Sequence, residues 1–344
     1  MPRSPFGFAL PLLLSLAVAM PVLFNPAEAT ARATQTAAHA PAKAKTAKPA
    51  AKASTKAVTK AGAKARVKHR GGKRIAAGAA AGAATAFRPV HAHVLMDAHT
   101  GRIIEAGNAD VATYPASLTK MMTLLLTFEA LDKGNLRLDQ ELPVSRYAAN
   151  QKPSRLNVVP GTTLRVEDAI LALTVKSAND AAVVLSEALG GSEERFAEMM
   201  TAKAHSLGMT NTTFRNASGL PNREQRTTAR DIAKLARAVV SLPPQEYAYF
   251  SRTRFDWNGT VIPGHNRLFG RVEGYDGIKT GFINLSGFNL AGSASRNGQR
   301  MIAVVLGGTT AKARDHEVAE LLEKGFKSAA PKQTVAATDA KLAQ

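Results

Sequence analysis

The stretch Tyr114-Pro115-Ala116-Ser117-Leu118-Thr119-Lys120-Met121-Met122-Thr123 decides the reading of this chain. It holds Ser-x-x-Lys at the mouth of an apolar run. A serine hydroxyl is a weak nucleophile near neutral pH and needs a base beside it. On the first turn of a helix, residues three apart share a face, so Lys120 can reach the Ser117 hydroxyl. A lysine desolvated there can lose its proton near neutral pH and act as that base. The helix N-terminus adds unpaired N–H groups where an oxyanion would form. Alone, the pattern carries little weight, since Ser-x-x-Lys recurs by chance and also describes a helix cap followed by a solvated lysine.

Working outward, apolar residues Leu118, Met121, Met122, Leu125 and Leu126 recur at helical spacing. They predict an amphipathic, central helix that Gly134 ends. Upstream, 91–96 and 102–106 read as an antiparallel strand pair joined by the turn 98–101. Downstream, 144–160 is polar and irregular, suited to the wall of a cleft, and 166–175 is helical. Lys176-Ser177-Ala178-Asn179-Asp180 then leads into a helix over 181–189. Its bland reading is a turn with Asn or Asp capping the next helix. Its chemical reading is a Ser-x-Asn element: a hydroxyl to relay a proton and an amide to hold a substrate backbone.

Further helices are predicted over 193–207 and 228–240, and strand character returns at 251–257. Tyr275-Asp276-Gly277-Ile278-Lys279-Thr280-Gly281-Phe282 carries Lys-Thr-Gly on a strand, where Gly281 permits close backbone approach. Strands 288–295 and 301–306 flank Asn297-Gly298, a strong hairpin signal, so this part of the sheet is antiparallel. A helix over 311–326 closes the fold.

Composition sets the surroundings. The 344 residues carry a formal charge of +19 and no cysteine. Residues 30–88 hold 14 Lys or Arg and no Asp or Glu, and Arg3 cancels Glu28, leaving +5 for 89–344. The basicity therefore belongs to an Ala/Lys-rich segment with almost no large apolar side chains, which reads as a disordered linker. Residues 1–29 read as a cleaved signal peptide: Arg3, an apolar stretch, then Ala27-Glu28-Ala29. A chain sent out of the cytoplasm seldom meets DNA, so no nucleic-acid partner is expected. The expected partners of 30–88 are anionic envelope polymers or lipid headgroups, with a plain spacer as the alternative. Residues 329–344 read as a disordered tail.

No metal or cofactor is expected. The eight histidines include no His-Glu-x-x-His, and His91-x-His93, with no acid nearby in sequence, reads as a strand face. Asp97, Asp180 and Asp231 read as caps or surface groups.

Ser117-x-x-Lys120, Ser177-x-Asn179 and Lys279-Thr280-Gly281, in that order, form the trio found in penicillin-binding proteins and class A β-lactamases. The fuller stretches, Pro115 to Thr123, Lys176 to Ala182 and Gly277 to Gly281, resemble the low-molecular-mass D-alanyl-D-alanine carboxypeptidases, peptidase S11-like. The resemblance runs from about Pro89 to Phe326. It implies an α/β (α+β) fold of the β-lactamase/transpeptidase kind, with a central antiparallel sheet flanked by helices, and a catalytic domain over 89–328.

It also implies a reaction. Ser117 attacks the carbonyl between two terminal D-alanines of a peptidoglycan stem peptide, with Lys120 as base. Ser177 and Asn179 serve proton transfer and positioning, and Lys279 and Thr280 hold the terminal carboxylate. The backbone N–H groups of Ser117 and Phe282 hold the oxyanion, with Gly281 between strand and substrate, and Arg267 helps organise the carboxylate end. β-Lactams are implied as covalent inhibitors, and the periplasm or cell envelope as the location.

The chain departs from the family where many members have His-Thr after Lys-Thr-Gly. Phe282-Ile283 stands there, so a threonine contact is lost, and Phe282 reads either as cleft wall or as core. Only about eighteen residues follow Phe326, so the second domain and anchor of many relatives are not expected. Two alternatives stand beside the carboxypeptidase: a D,D-endopeptidase using the same residues, and a basic envelope-binding protein without catalysis. A β-lactamase is disfavoured because no Glu-x-x-Leu-Asn element lies between Asn179 and Lys279.

Overall fold

The structure, a computed structural model, describes residues 89–329. The expected signal peptide, basic linker and C-terminal tail beyond Ala329 lie outside the described residues. In chain order the elements are β1 (Ala92–Asp97), β2 (Ile103–Gly107), α1 (Thr119–Asp132), β3 (Glu141–Pro143), α2 (Arg146–Ala149), β4 (Thr163–Arg165) and α3 (Val166–Leu171). There follow α4 (Asn179–Gly190), α5 (Glu193–Ser206), α6 (Ala229–Val240), α7 (Pro244–Tyr247), β5 (Arg254–Trp257) and β6 (Thr260–Pro263). The last elements among the described residues are β7 (Tyr275–Ile283), β8 (Gly287–Arg296), β9 (Gln299–Gly308) and α8 (Ala311–Ala329).

The main sheet has the order β2-β1-β9-β8-β7, antiparallel at every pair. Its last hairpin is built as the dipeptide predicts. Asn297 and Gly298 take φ of 49° and 79°, which matches the twist of the flanking strands, and Arg296 pairs with Gln299.

Both faces of the sheet are covered, which is why β1 is not a simple apolar–polar alternation. Ala92, Val94 and Met96 face one side with Ile302, Val304 and Leu306, and pack against Met121, Met122 and Phe128 of α1 and Ile232 and Leu235 of α6. Leu95 faces the other side with Met301, Ala303 and Val305, beneath Val318, Leu321 and Leu322 of α8. Burying each of the Val, Leu, Ile, Met and Phe side chains among them contributes ~1.5–3 kcal/mol.

Three expectations need correction. The helix after Ser117 is central but not amphipathic. Polar Thr119, Lys120, Thr123 and Thr127 are buried along with its apolar residues, because α4, α5 and α6 surround it. The helix expected over 166–175 is α only to Leu171. Residues Ala172–Lys176 form a wider π turn, where the Thr174 hydroxyl donates to the carbonyls of Ile170 and Leu171. The strand expected from 251 starts at Arg254, after a 3-10 turn over Ala248–Ser251. The short strands β3, β4 and β6, which complete the two-stranded sheets β3–β4 and β5–β6, went unread because strands of three or four residues show no period.

Candidate active site

Ser117 lies in a 3-10 turn, Ala116–Leu118, that feeds directly into α1. The turn is sharp: Ala116 takes φ of 48°, unusual for a residue with a Cβ. Lys120, one turn on, is completely buried and ends among three oxygens. Its Nζ lies 3.2 Å from Ser117 Oγ, 2.8 Å from Asn179 Oδ1 and 2.6 Å from the Ser218 carbonyl. Burial holds the Lys120 ammonium well below the usual lysine range, with Lys279 pushing the same way against Asp180 and Glu193. A neutral amine has two N–H donors and one lone pair. The two shorter contacts take the donors, and the lone pair is left for the Ser117 hydroxyl. This is the arrangement a general base requires.

Ser177 ends the π turn in the left-handed region, at φ 60°. Its Oγ is buried without a hydrogen-bond partner among the described residues and borders the same cavity as Ser117. Asn179, at the start of α4, donates from Nδ2 to the Lys152 carbonyl while its Oδ1 accepts from Lys120. The amide therefore ties α1 to the 150s loop.

β7 is an edge strand, so alternate backbone groups of Lys279-Thr280-Gly281 are free of the β8 ladder. A Cβ on Gly281 would stand 3.0 Å from the Ser117 nitrogen. Only glycine lets this strand approach the serine turn so closely. Lys279 is 3% exposed, its Nζ donating to the Thr280 carbonyl, and burial together with Arg314 pulls it down to about 7.

A cavity of about 450 Å³ joins these groups. Ser117, Ser177, Arg267, Thr280, Gly281 and Phe282 line it. Lys120, Asn179 and Lys279 sit in the buried layer beneath. Phe282 is cleft wall and not core: it is 49% exposed, its ring centroid 4.4 Å from that of Phe288.

Sequence reasoning missed several neighbours. Ser154, His265 and Arg314 also line the cavity. His265 is held below the usual histidine range by burial and by Lys279, Lys176 and Arg267, so this end of the cleft concentrates positive charge. Buried Glu193 accepts the Ala217 N–H, which fixes the loop that presents the Ser218 carbonyl. Asp180, read from the sequence as a cap or surface group, is fully buried and accepts N–H bonds from Leu156, Asn157 and Val158, holding the segment that follows Ser154. None of these has a spacing signal, since packing alone brings them in.

The histidine reading also changes. His91 and His93 do have acids beside them: Glu317 of α8 accepts from His91 at 2.9 Å, and Glu105 lies 3.7 Å from His93.

A five-stranded antiparallel sheet between helical layers is the fold of the penicillin-binding D,D-peptidases. The chain superposes on the D-alanyl-D-alanine carboxypeptidase DacD from Francisella tularensis with a TM-score of 0.67 at 32% identity, covering 68% of this chain and 70% of that one. On penicillin-binding protein D2 from Listeria monocytogenes in its ampicillin-bound form the TM-score is 0.60 at 34% identity, over 68% and 96%. The chain belongs to the peptidase S11 family, described as D-alanyl-D-alanine carboxypeptidase, whose model matches residues 81–310. It is 37% identical over 243 residues to the D-alanyl-D-alanine carboxypeptidase DacC of Escherichia coli (strain K12), covering 69% of this chain. That match takes in 61% of the relative, and the chain spans about three fifths of the length of the curated relatives it matches.

Proposed function

We propose that this protein is a serine-type D-alanyl-D-alanine carboxypeptidase that removes the terminal D-alanine from peptidoglycan stem pentapeptides. The observation that carries this reading is the buried Lys120 amine, 3.2 Å from Ser117 Oγ with its other bonds directed to Asn179 and Ser218. Ser117 Oγ attacks the penultimate carbonyl as its proton passes to Lys120. The backbone N–H groups of Ser117 and Phe282 take the oxyanion, while Lys279, Thr280 and Arg267 receive the terminal carboxylate. The C–N bond breaks, Ser177 relays the proton from Lys120 to the departing amine, and the peptide is left as an ester on Ser117. Water then attacks the ester, with Lys120 again accepting the proton.

β-Lactams present the same carboxylate and carbonyl and acylate the same serine. The chain has no Glu-x-x-Leu-Asn element between Asn179 and Lys279, so the penicilloyl ester persists. Residues 1–29 direct the chain out of the cytoplasm, 30–88 hold it electrostatically to anionic polymers or headgroups of the envelope, and 89–328 form the catalytic domain. Among the described residues no helix is long and apolar enough to cross a membrane.

The deciding experiment is mass spectrometry of a stem pentapeptide ending in D-Ala-D-Ala after incubation with the protein and with Ser117→Ala. Loss of one alanine with the native chain alone is expected, together with loss of penicillin labelling in Ser117→Ala. Turnover that survives in the variant overturns the assignment. An untouched pentapeptide alongside a cleaved cross-linked dimer transfers it to an endopeptidase.

A further inference from the structure

His91 and His93 alternate along the start of the sheet, so they share a face with Leu95, the face covered by α8. Glu317 of α8 arrives there. Its Oε2 lies 2.9 Å from His91 Nε2 and its Oε1 3.7 Å from His93 Nδ1. One ligand atom from each of the three residues lies within 4.8 Å of the others. Two further observations mark the cluster as more than an ion pair. His93 Nδ1 is buried yet has no hydrogen-bond partner among the described residues. The imidazole also lies close over Gly107, where a Cβ would meet His93 Cε1 at 2.5 Å. The ring thus has a nitrogen without a hydrogen-bond partner facing a carboxylate.

We propose that His91, His93 and Glu317 form a zinc site that staples the start of β1 to α8. Two imidazole nitrogens and a carboxylate are a ligand set that zinc takes, with a fourth position for water. Bonds of about 2.0–2.2 Å in a tetrahedron set ligand atoms about 3.4 Å apart, so closure needs only side-chain adjustment of an ångström or so. The other nitrogen of His93, Nε2, faces Glu105 Oε1 at 3.7 Å. A carboxylate behind a ligating imidazole orients the ring and raises its basicity. Glu105 is itself paired with Lys324, and an adjoining cavity of about 240 Å³ gives an ion access. β9 and β8 separate β1 from the edge strand of the cleft, so the ion takes no part in peptide chemistry.

The test is titration of the tag-free full chain with Zn²⁺ against a chromophoric chelator, with Co²⁺ absorption as a report of geometry. Tight binding of one equivalent and a tetrahedral cobalt band are expected. Glu105→Gln should weaken binding by about 10–100-fold, and His91→Ala or Glu317→Gln by more. His316→Ala, an exposed histidine on the same helix, should leave affinity unchanged, as all these variants should leave penicillin acylation. His91 is itself exposed, so His91→Ala keeps the test decisive where His93→Ala fails to fold. Equal zinc affinity in native chain, His91→Ala and Glu317→Gln, or an octahedral cobalt spectrum, overturns the proposal.

Discussion

Lys120 and Lys279 are both buried, and both are held below the ordinary lysine range, yet the proposed chemistry needs them in opposite states. Lys120 works as the free amine, so acylation increases as pH rises through its lowered pKa. Lys279 works as the cation that receives a carboxylate, and in the free enzyme it loses that charge above about 7. The pentapeptide kcat/KM is therefore expected to fall on the alkaline side of pH 7 through KM. The kcat stays level, because a bound carboxylate keeps Lys279 protonated. Lys279→Arg should abolish the alkaline fall, since a guanidinium does not deprotonate in this range. Initial rates from pH 5 to 10 for both proteins check this; a native profile flat above pH 7 contradicts it. The motif spacing named both lysines, but their surroundings were not legible. Burial depends on which helices pack around them.

The serine turn is held at the level of elements. Gly219, at φ 86°, lies against it so closely that a Cβ would stand 1.8 Å from the Ala116 carbonyl oxygen. Gly219→Ala therefore carries both left-handed strain, about 1–2 kcal/mol, and overpacking, about 1–3 kcal/mol. It should also displace Ser117 and slow penicillin acylation. Gly134→Ala supplies the contrast: φ is 69° but nothing lies within 4 Å. That variant should lose only the strain, about 1–2 kcal/mol, with acylation intact. Urea unfolding and acylation rates on the two variants test the difference. In sequence, Gly134 and Gly219 look alike, one ending a helix and one in a loop. Only the packing of the 216–219 loop on the Ala116 turn separates them.

Across the whole molecule, charge is divided unevenly: 14 basic residues and no acid in 30–88 against a net +5 thereafter. Deleting 30–85 is expected to lower binding to isolated cell walls at low salt, and to leave soluble pentapeptide turnover unchanged. The deficit should shrink as salt rises, since screening shortens to about 8 Å near 0.15 M. Sedimentation of both forms with walls across a salt series measures it. Equal binding at every ionic strength would reduce the segment to a spacer.

Local spacing sufficed for much of this protein. It marked Ser117 with Lys120, the Lys279-Thr280-Gly281 strand and the Asn297-Gly298 hairpin, because neighbours on one turn, strand or hairpin are set by backbone geometry alone, and it singled out Ser177 and Asn179 by their place between two helices. The tertiary structure decided the rest. Lys120 meets Asn179 and Ser218 across 59 and 98 residues of chain, and His91 meets Glu317 across 226. No period or motif encodes such separations. They follow from which faces of α1, β1 and α8 must leave water together, and that is settled only when the whole core packs.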